Sequence, residues 1–175
     1  LVALVLRELF DFGLMQTDPN FANYRISDDG EKLVLLDFGA AREVSPHITE
    51  SYRRLLAEGL AEDHEAIAEA AIAAGFLSRH TADAHRANLD RIIAVIVNEL
   101  GKPGDFDFGD RSFVKTVREE GMAIAQDKAA WHLPPAEMLF AQRKISGTAL
   151  LAARMKARID IRSMVEAKLA GLPSR

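Results

Sequence analysis

The apolar positions at the start of the chain, Leu4, Val5, Leu9 and Phe10, recur at helical spacing, and the pattern stops at Gly13. That spacing predicts a helix over the first 13 residues, closed by a glycine in left-handed backbone. Residues 14–23 show no period, and Asp18-Pro19-Asn20 is a strong turn signal. Two short strands are expected next, at about 24–26 and 32–36, joined through Ser27-Asp28-Asp29-Gly30. Asp-Gly between β-rich segments signals a hairpin because both residues tolerate positive φ. The run Leu33-Val34-Leu35-Leu36 is uniformly apolar, which predicts a strand buried on both faces.

From residue 44 onward the periodicity is helical. Ser45-Pro46 supplies a cap and a first-turn proline, with Ile48, Tyr52, Leu55 and Leu56 following on one face. A second helix closes at Gly75 and a third spans about 81–100, with Leu89, Ile92, Ile93, Ile96 and Leu100 as its apolar stripe. A Gly-, Pro- and Asp-rich loop is expected over 101–111, then helices near 112–130, 135–156 and 158–170. The prediction is one mainly α domain with a small β-hairpin at one end. Its apolar stripes read most simply as packing faces.

Composition narrows the function classes. With 22 basic and 26 acidic residues the net charge is −4, which disfavours a dedicated nucleic-acid binder. There is no cysteine, so disulfides, thiolate zinc sites and thiol nucleophiles are absent. No apolar run approaches the ~20 residues that span a bilayer. The chain opens at Leu1, without Met and already inside a helical pattern, and is expected to be the C-terminal part of something longer.

Several familiar motifs fail on inspection. His64-Glu65 begins a metalloprotease pattern, but position 68 is Ala. Gly101-Lys102 resembles a P-loop ending, yet Ile96 replaces its first glycine and Pro103 its metal-binding hydroxyl. The five histidines have no metal-ligand spacing.

The segment from Gln16 to Arg42 is different. Asn23 follows Asp18 by five positions, and Asp37-Phe38-Gly39 begins nineteen positions after Asp18. Phosphoryl transfer from ATP needs an acidic group to orient the attacking atom, a carboxylate to hold Mg²⁺ on the phosphates, and an amide oxygen to complete the metal's ligands. Asp-x-x-x-x-Asn on a loop supplies the first and third, and Asp-Phe-Gly after an apolar strand supplies the second. A hairpin between them turns both toward one cleft. A second copy, Asp107-Phe108-Gly109, has neither the strand nor the upstream pair, and is expected to be a loop coincidence.

The strings Gln16-Thr17-Asp18-Pro19-Asn20-Phe21-Ala22-Asn23 and Leu35-Leu36-Asp37-Phe38-Gly39-Ala40-Ala41-Arg42-Glu43 resemble the UbiB/ADCK (aarF-domain) family of atypical kinases, in the branch tied to ubiquinone biosynthesis. The similarity extends to Asp105–Gly109, Leu133-Pro134-Pro135, Lys144-Ile145-Ser146-Gly147 and Lys156-Ala157-Arg158, and so to nearly the whole chain. The resemblance implies a protein-kinase-like C-terminal lobe of α+β class. It puts Asp18 at the catalytic position, Asn23 and Asp37 as magnesium ligands, and Asn20, Asn23, Asp37, Phe38 and Gly39 beside the nucleotide. It further implies ATP or ADP with Mg²⁺ as cofactors, and ATPase or small-molecule phosphotransfer rather than protein phosphorylation. Contacts with quinone-pathway lipids or enzymes and with a membrane periphery follow too. The setting would be the cytoplasmic side of a bacterial inner membrane or the mitochondrial matrix side. The family's N-terminal lobe, with its phosphate-pairing lysine and inhibitory Lys-x-Gly-Gln helix, would lie before Leu1, leaving this chain alone inactive.

Gln16-Thr17 replaces the His-Arg of ordinary protein kinases, and Asn20 replaces a lysine, removing a positive charge near the transferred phosphate. Arg42 is a candidate replacement if it turns into the cleft, with an ion pair to Glu43 or Asp37 as the alternative. Two other readings compete: a non-catalytic helical module binding partners or lipid, and a relative of aminoglycoside or choline phosphotransferases. Phe38-Gly39 counts against the latter.

Overall fold

The computed structural model describes residues 1–102, 104–130 and 133–171. Pro103, used above to dismiss the P-loop, and one of the five histidines, His132, lie outside them. The chain opens with α1 (Val2–Arg7), whose last turn widens into a π-helical turn at Glu8–Phe12. Gly13 ends it at φ 60°, a left-handed conformation in which any other side chain is strained.

Three antiparallel pairs follow from the chain's reversals. β1 (Leu14–Gln16) pairs with β4 (Ala41–Glu43), placing Gln16 opposite Ala41. Between them, β2 (Tyr24–Ile26) pairs with β3 (Leu33–Leu35) to make the expected hairpin, closed by Gly30 N–H donating to the Ser27 carbonyl at 2.8 Å. β1 was not legible in the sequence, because three residues without alternation carry no period. Much later β5 (Phe106–Asp107) pairs with β6 (Arg158–Ile159).

The expectation that residues 33–36 are buried on both faces is overturned. Leu33, Val34 and Leu36 are 37%, 40% and 49% exposed. A two-stranded hairpin buries side chains only where another layer covers it, and none does so among the described residues. With Ile26 and Phe38 also exposed, this edge of the molecule is an apolar surface.

The helical body comprises α2 (Pro46–Ala61), α3 (His64–Ala73), α4 (Arg79–Ala84), α5 (Arg86–Gly101), α6 (Ser112–Gln126), α7 (Ala136–Arg154) and α8 (Ile161–Ala170). The third predicted helix is broken at His85 into α4 and α5. Side-chain caps start four of the seven: Ser45, Asp63, Ser78 and Asp160 each accept an otherwise unpaired first-turn N–H. No helix of the described residues is long and apolar enough to cross a membrane.

The main core joins α1, the start of α2 and α7 around Val5, Leu9, Met15, Ile48, Tyr52, Met138 and Ala141. Met138 and Met15 are fully buried, so β1 is clamped between the first helix and α7. A smaller cluster of Ala68, Ile93 and Val97 joins α3 to α5. An apolar groove of about 560 Å³ runs beside the main core, lined by α1, α2, α7, α8 and the Phe106–Phe113 aromatic cluster.

Candidate functional site

The loop after β1 is fixed before its functional side chains are considered. Thr17 donates both its backbone N–H and its hydroxyl to the Ala40 carbonyl, at 3.1 and 2.8 Å, extending the β1–β4 pairing by one residue. Asn20 caps a short 3₁₀ turn, Phe21–Asn23, with its side-chain oxygen accepting from Ala22 N–H at 3.1 Å. This bond fixes the start of the turn and leaves the Asn20 side chain exposed. The Pro19 ring meets α7 at Gly147, where a Cβ would overlap it, so the helix and the loop touch backbone to ring.

Within that frame Asp18 and Asn23 meet directly. Asn23 Nδ2 donates to both the Asp18 carbonyl and its carboxylate Oδ2, each at 3.0 Å. Asn23 also joins the far strand, its carbonyl accepting Leu36 N–H at 3.0 Å one residue before Asp37. Asp37 sits at the end of the hairpin, its Oδ1 taking Gly39 N–H at 2.7 Å. Gln16 ties the two arms together: its Oε1 accepts Asp18 N–H at 2.7 Å and its Nε2 donates to the Asp37 carbonyl at 3.2 Å. Asp18 and Asn23 are half-buried, whereas Asp37, Phe38 and Gly39 are exposed.

Magnesium is implied by the sequence resemblance, and the donor set fits it. With Nδ2 spent on Asp18, the Asn23 amide keeps Oδ1. With Oδ1 spent on Gly39, Asp37 keeps Oδ2. These are hard oxygen ligands of the type Mg²⁺ selects. Among the described residues no three His, Cys, Asp or Glu side chains form a metal cluster. A Mg²⁺ ion held by these two side chains would have to draw its remaining ligands from phosphate and water oxygens.

Arg42 takes neither of its expected positions. It stacks over Phe140, 5.7 Å from the ring centroid, and donates to the Ala41 carbonyl at 3.4 Å. A cation that does reach the loop's carboxylate is Arg143 of α7, 3.4 Å from Asp18 Oδ1. Sequence reasoning missed this residue because it lies 125 positions from its partner.

A second unforeseen group lies underneath. Lys144 and Glu8 form a buried ion pair, with Nζ 3.0 Å from Oε2 and 3.3 Å from Oε1. Oε1 also accepts Gln16 N–H at 3.1 Å, and Lys144 donates to the Tyr24 hydroxyl at 3.2 Å. Oε2 has no aligned hydrogen bond, so its share of the pair is Coulombic. A signal was present: Lys144 falls on the face of α7 that also carries Met138, Ala141, Thr148 and Leu151, and a lysine on an apolar stripe needs a counter-ion.

The second Asp-Phe-Gly reproduces the local turn of the first, with Gly109 N–H on Asp107 Oδ1 at 2.7 Å. It is not a featureless loop, since Asp107 belongs to β5 and lies 3.7 Å from Arg158. What it lacks is an Asp–Asn partner loop.

An Asp–Asn loop braced against an Asp-Phe-Gly turn, on a mainly helical α+β body, is the arrangement of a kinase-like domain. Residues 1–71 match the ABC1 atypical kinase-like domain. The chain is 31% identical to the rat protein "Atypical kinase COQ8B, mitochondrial" over 174 residues, covering 95% of this chain and 31% of that protein. It is 33% identical over 169 residues to the yeast (Saccharomyces cerevisiae) "Atypical kinase COQ8, mitochondrial", covering 91% and 32%. The "Probable serine/threonine-protein kinase abkA" of Dictyostelium discoideum is 25% identical over 170 residues. The resemblance to the UbiB/ADCK atypical kinases thus holds over most of the chain, which spans about a third of the length of these relatives.

Proposed function

We propose that this chain is the C-terminal lobe of an atypical kinase or ATPase that binds MgATP and supports ubiquinone biosynthesis. The observation that supports it best is the joint held by Gln16, which fastens the Asp18–Asn23 pair to the strand end bearing Asp37. In this reading Asn23 Oδ1 and Asp37 Oδ2 would hold the magnesium ion, which would supply charge neutralisation on the phosphates. Asp18, held by Asn23 and facing Arg143, orients the attacking hydroxyl or water and accepts its proton. Arg143 supplies the positive charge that ordinary kinases draw from the lysine replaced here by Asn20. Phe38, Gly39 and Asn20 border the nucleotide, and Asn20 also keeps the loop in shape.

The exposed apolar edge of Ile26, Leu33, Val34, Leu36 and Phe38 is the natural floor for a second lobe, so the cleft needs chain beyond these residues. The COQ8 relatives carry mitochondrial names, which supports a mitochondrial setting for this chain; the matrix side, or the inner-membrane periphery in a bacterium, is the finer proposal. Calorimetry with MgADP tests the reading. The whole protein is expected to bind with a Mg²⁺ requirement, and residues 1–175 alone only weakly. A low-micromolar constant for the isolated chain would contradict the two-lobe requirement. Magnesium-independent binding by the whole protein would contradict the site.

A further inference from the structure

We infer that Gln16 is a positioning residue, a two-armed brace that sets the separation of Asp18 and Asp37; the inference rests on the nucleotide reading above. Gln16 is 4% exposed, and every polar group of its side chain is used. The Oε1 arm holds the Asp18 N–H, and the Nε2 arm holds the Asp37 carbonyl. A primary amide has one accepting and one donating end, so a single rotamer serves both arms at once. No carboxylate of the same length does this, because it presents oxygen to the Asp37 carbonyl.

The brace is itself anchored. Gln16 N–H is held by Glu8 Oε1, and Glu8 is held by Lys144. Gln16 also pairs with Ala41 through β1 and β4, two residues past the Asp-Phe-Gly turn. Its backbone is therefore tied to both ends of the site while its side chain spans the gap between them. The two carboxylates lie on separate segments, and the described bonds joining those segments run through Gln16, through Thr17 to Ala40 and through Asn23 to Leu36. Of these, only the Gln16 side chain reaches the Asp18 and Asp37 backbones themselves.

The two arms are separable by substitution in the whole protein. Gln16→Met keeps length and volume and removes both arms. Gln16→Glu keeps the acceptor for Asp18 N–H and loses the donor to Asp37. The readouts are residue-resolved amide exchange and nucleotide affinity with and without Mg²⁺. For Gln16→Met, exchange at the Asp18 amide is expected to rise about tenfold while the Thr17 amide, held by Ala40, stays protected. For Gln16→Glu, both amides stay protected. In both variants the tightening of ADP binding by Mg²⁺ falls by about tenfold or more, while Mg²⁺-free binding stays within twofold of the parent. A general packing defect would instead loosen both amides and weaken both affinities together, and that outcome overturns the inference. So does a Gln16→Glu protein whose Mg²⁺ response is unchanged. Should the parent gain nothing from Mg²⁺, the nucleotide reading is what fails, and the Asp18 amide still decides whether Gln16 holds the loop.

Discussion

Lys144 and Glu8, 136 positions apart in the chain, pair in the interior with side chains only 1% and 4% exposed. The pair joins α7 to the turn that ends the first helix, and through Gln16 and Tyr24 it reaches both ends of the Asp18–Asn23 loop. Desolvating two charges is costly, so such a pair adds little net stability over an apolar filling, while removing one partner strands the other.

Lys144→Met should therefore destabilise the protein by about 3–5 kcal/mol in chemical denaturation, by leaving Glu8 buried and unpaired. Adding Glu8→Met should recover part of that loss. Recovery stays incomplete because Gln16 N–H then lacks its acceptor, a cost of about 1–3 kcal/mol. Equal stabilities for the single and double variants would argue against a buried charge as the cause.

Gly147 and Gly121 are both helical, yet alanine should act oppositely at the two. A Cβ on Gly147 overlaps the Pro19 ring, whereas one on Gly121 meets nothing within 4 Å. Gly147→Ala is expected to lower the melting temperature and weaken Mg²⁺-dependent nucleotide binding, since Pro19 follows Asp18 directly. Gly121→Ala should stabilise by about 0.5–1 kcal/mol through helix propensity alone. Thermal melts with and without MgADP check both.

The two Asp-Phe-Gly turns offer an internal control. Asp37→Asn preserves an oxygen for Gly39 N–H and removes only charge, so loss of Mg²⁺-dependent thermal stabilisation by nucleotide is expected without unfolding. Asp107→Asn gives up a long surface contact with Arg158, worth under about 1 kcal/mol, and should leave that response intact. Equal loss in both variants would mean that the wrong turn has been assigned to the metal.

Burial pushes the Tyr52 hydroxyl far above the ordinary phenol range, in a core where its ring meets Phe76 edge-on at 5.7 Å. The folded state thus keeps its proton at pH values where the unfolded chain, ionising near ~10, has lost it. Stability from this group is full below that pH and declines above it, by up to about 1.4 kcal/mol per pH unit. Tyr52→Phe should flatten the alkaline decline of a denaturation series measured from pH 8 to 11.

The parts of this molecule governed by local chemistry were legible in the sequence. Gly13 and Gly75 ended their helices, Ser45 capped α2, and the Asp29-Gly30 hairpin formed where its turn residues placed it. The spacing of Asp18, Asn23 and Asp37 marked the candidate site as well. What escaped was set by distant partners. Leu33 to Leu36 are apolar enough for a core, but burial depends on a covering layer that hydropathy does not report. β1 and β4 are recognisable only once paired, and Arg143 gains its meaning from Asp18 across the fold. Gln16 belonged to the motif that drew attention, yet its bracing role shows only in where its amide points.

The tether between Glu8 and Lys144 also constrains how the protein is made. A ribosome releases the first helix and its loop long before α7, so that stretch must wait through more than a hundred further additions for its counter-ion and its Gly147 neighbour. Local helices and the bonds within residues 16–40 can form during this interval, but the loop's contacts with Arg143 and Gly147 wait until α7 has been made. A chain halted before residue 143 therefore carries the motif without the counter-ion of Glu8 or the Arg143 contact of Asp18.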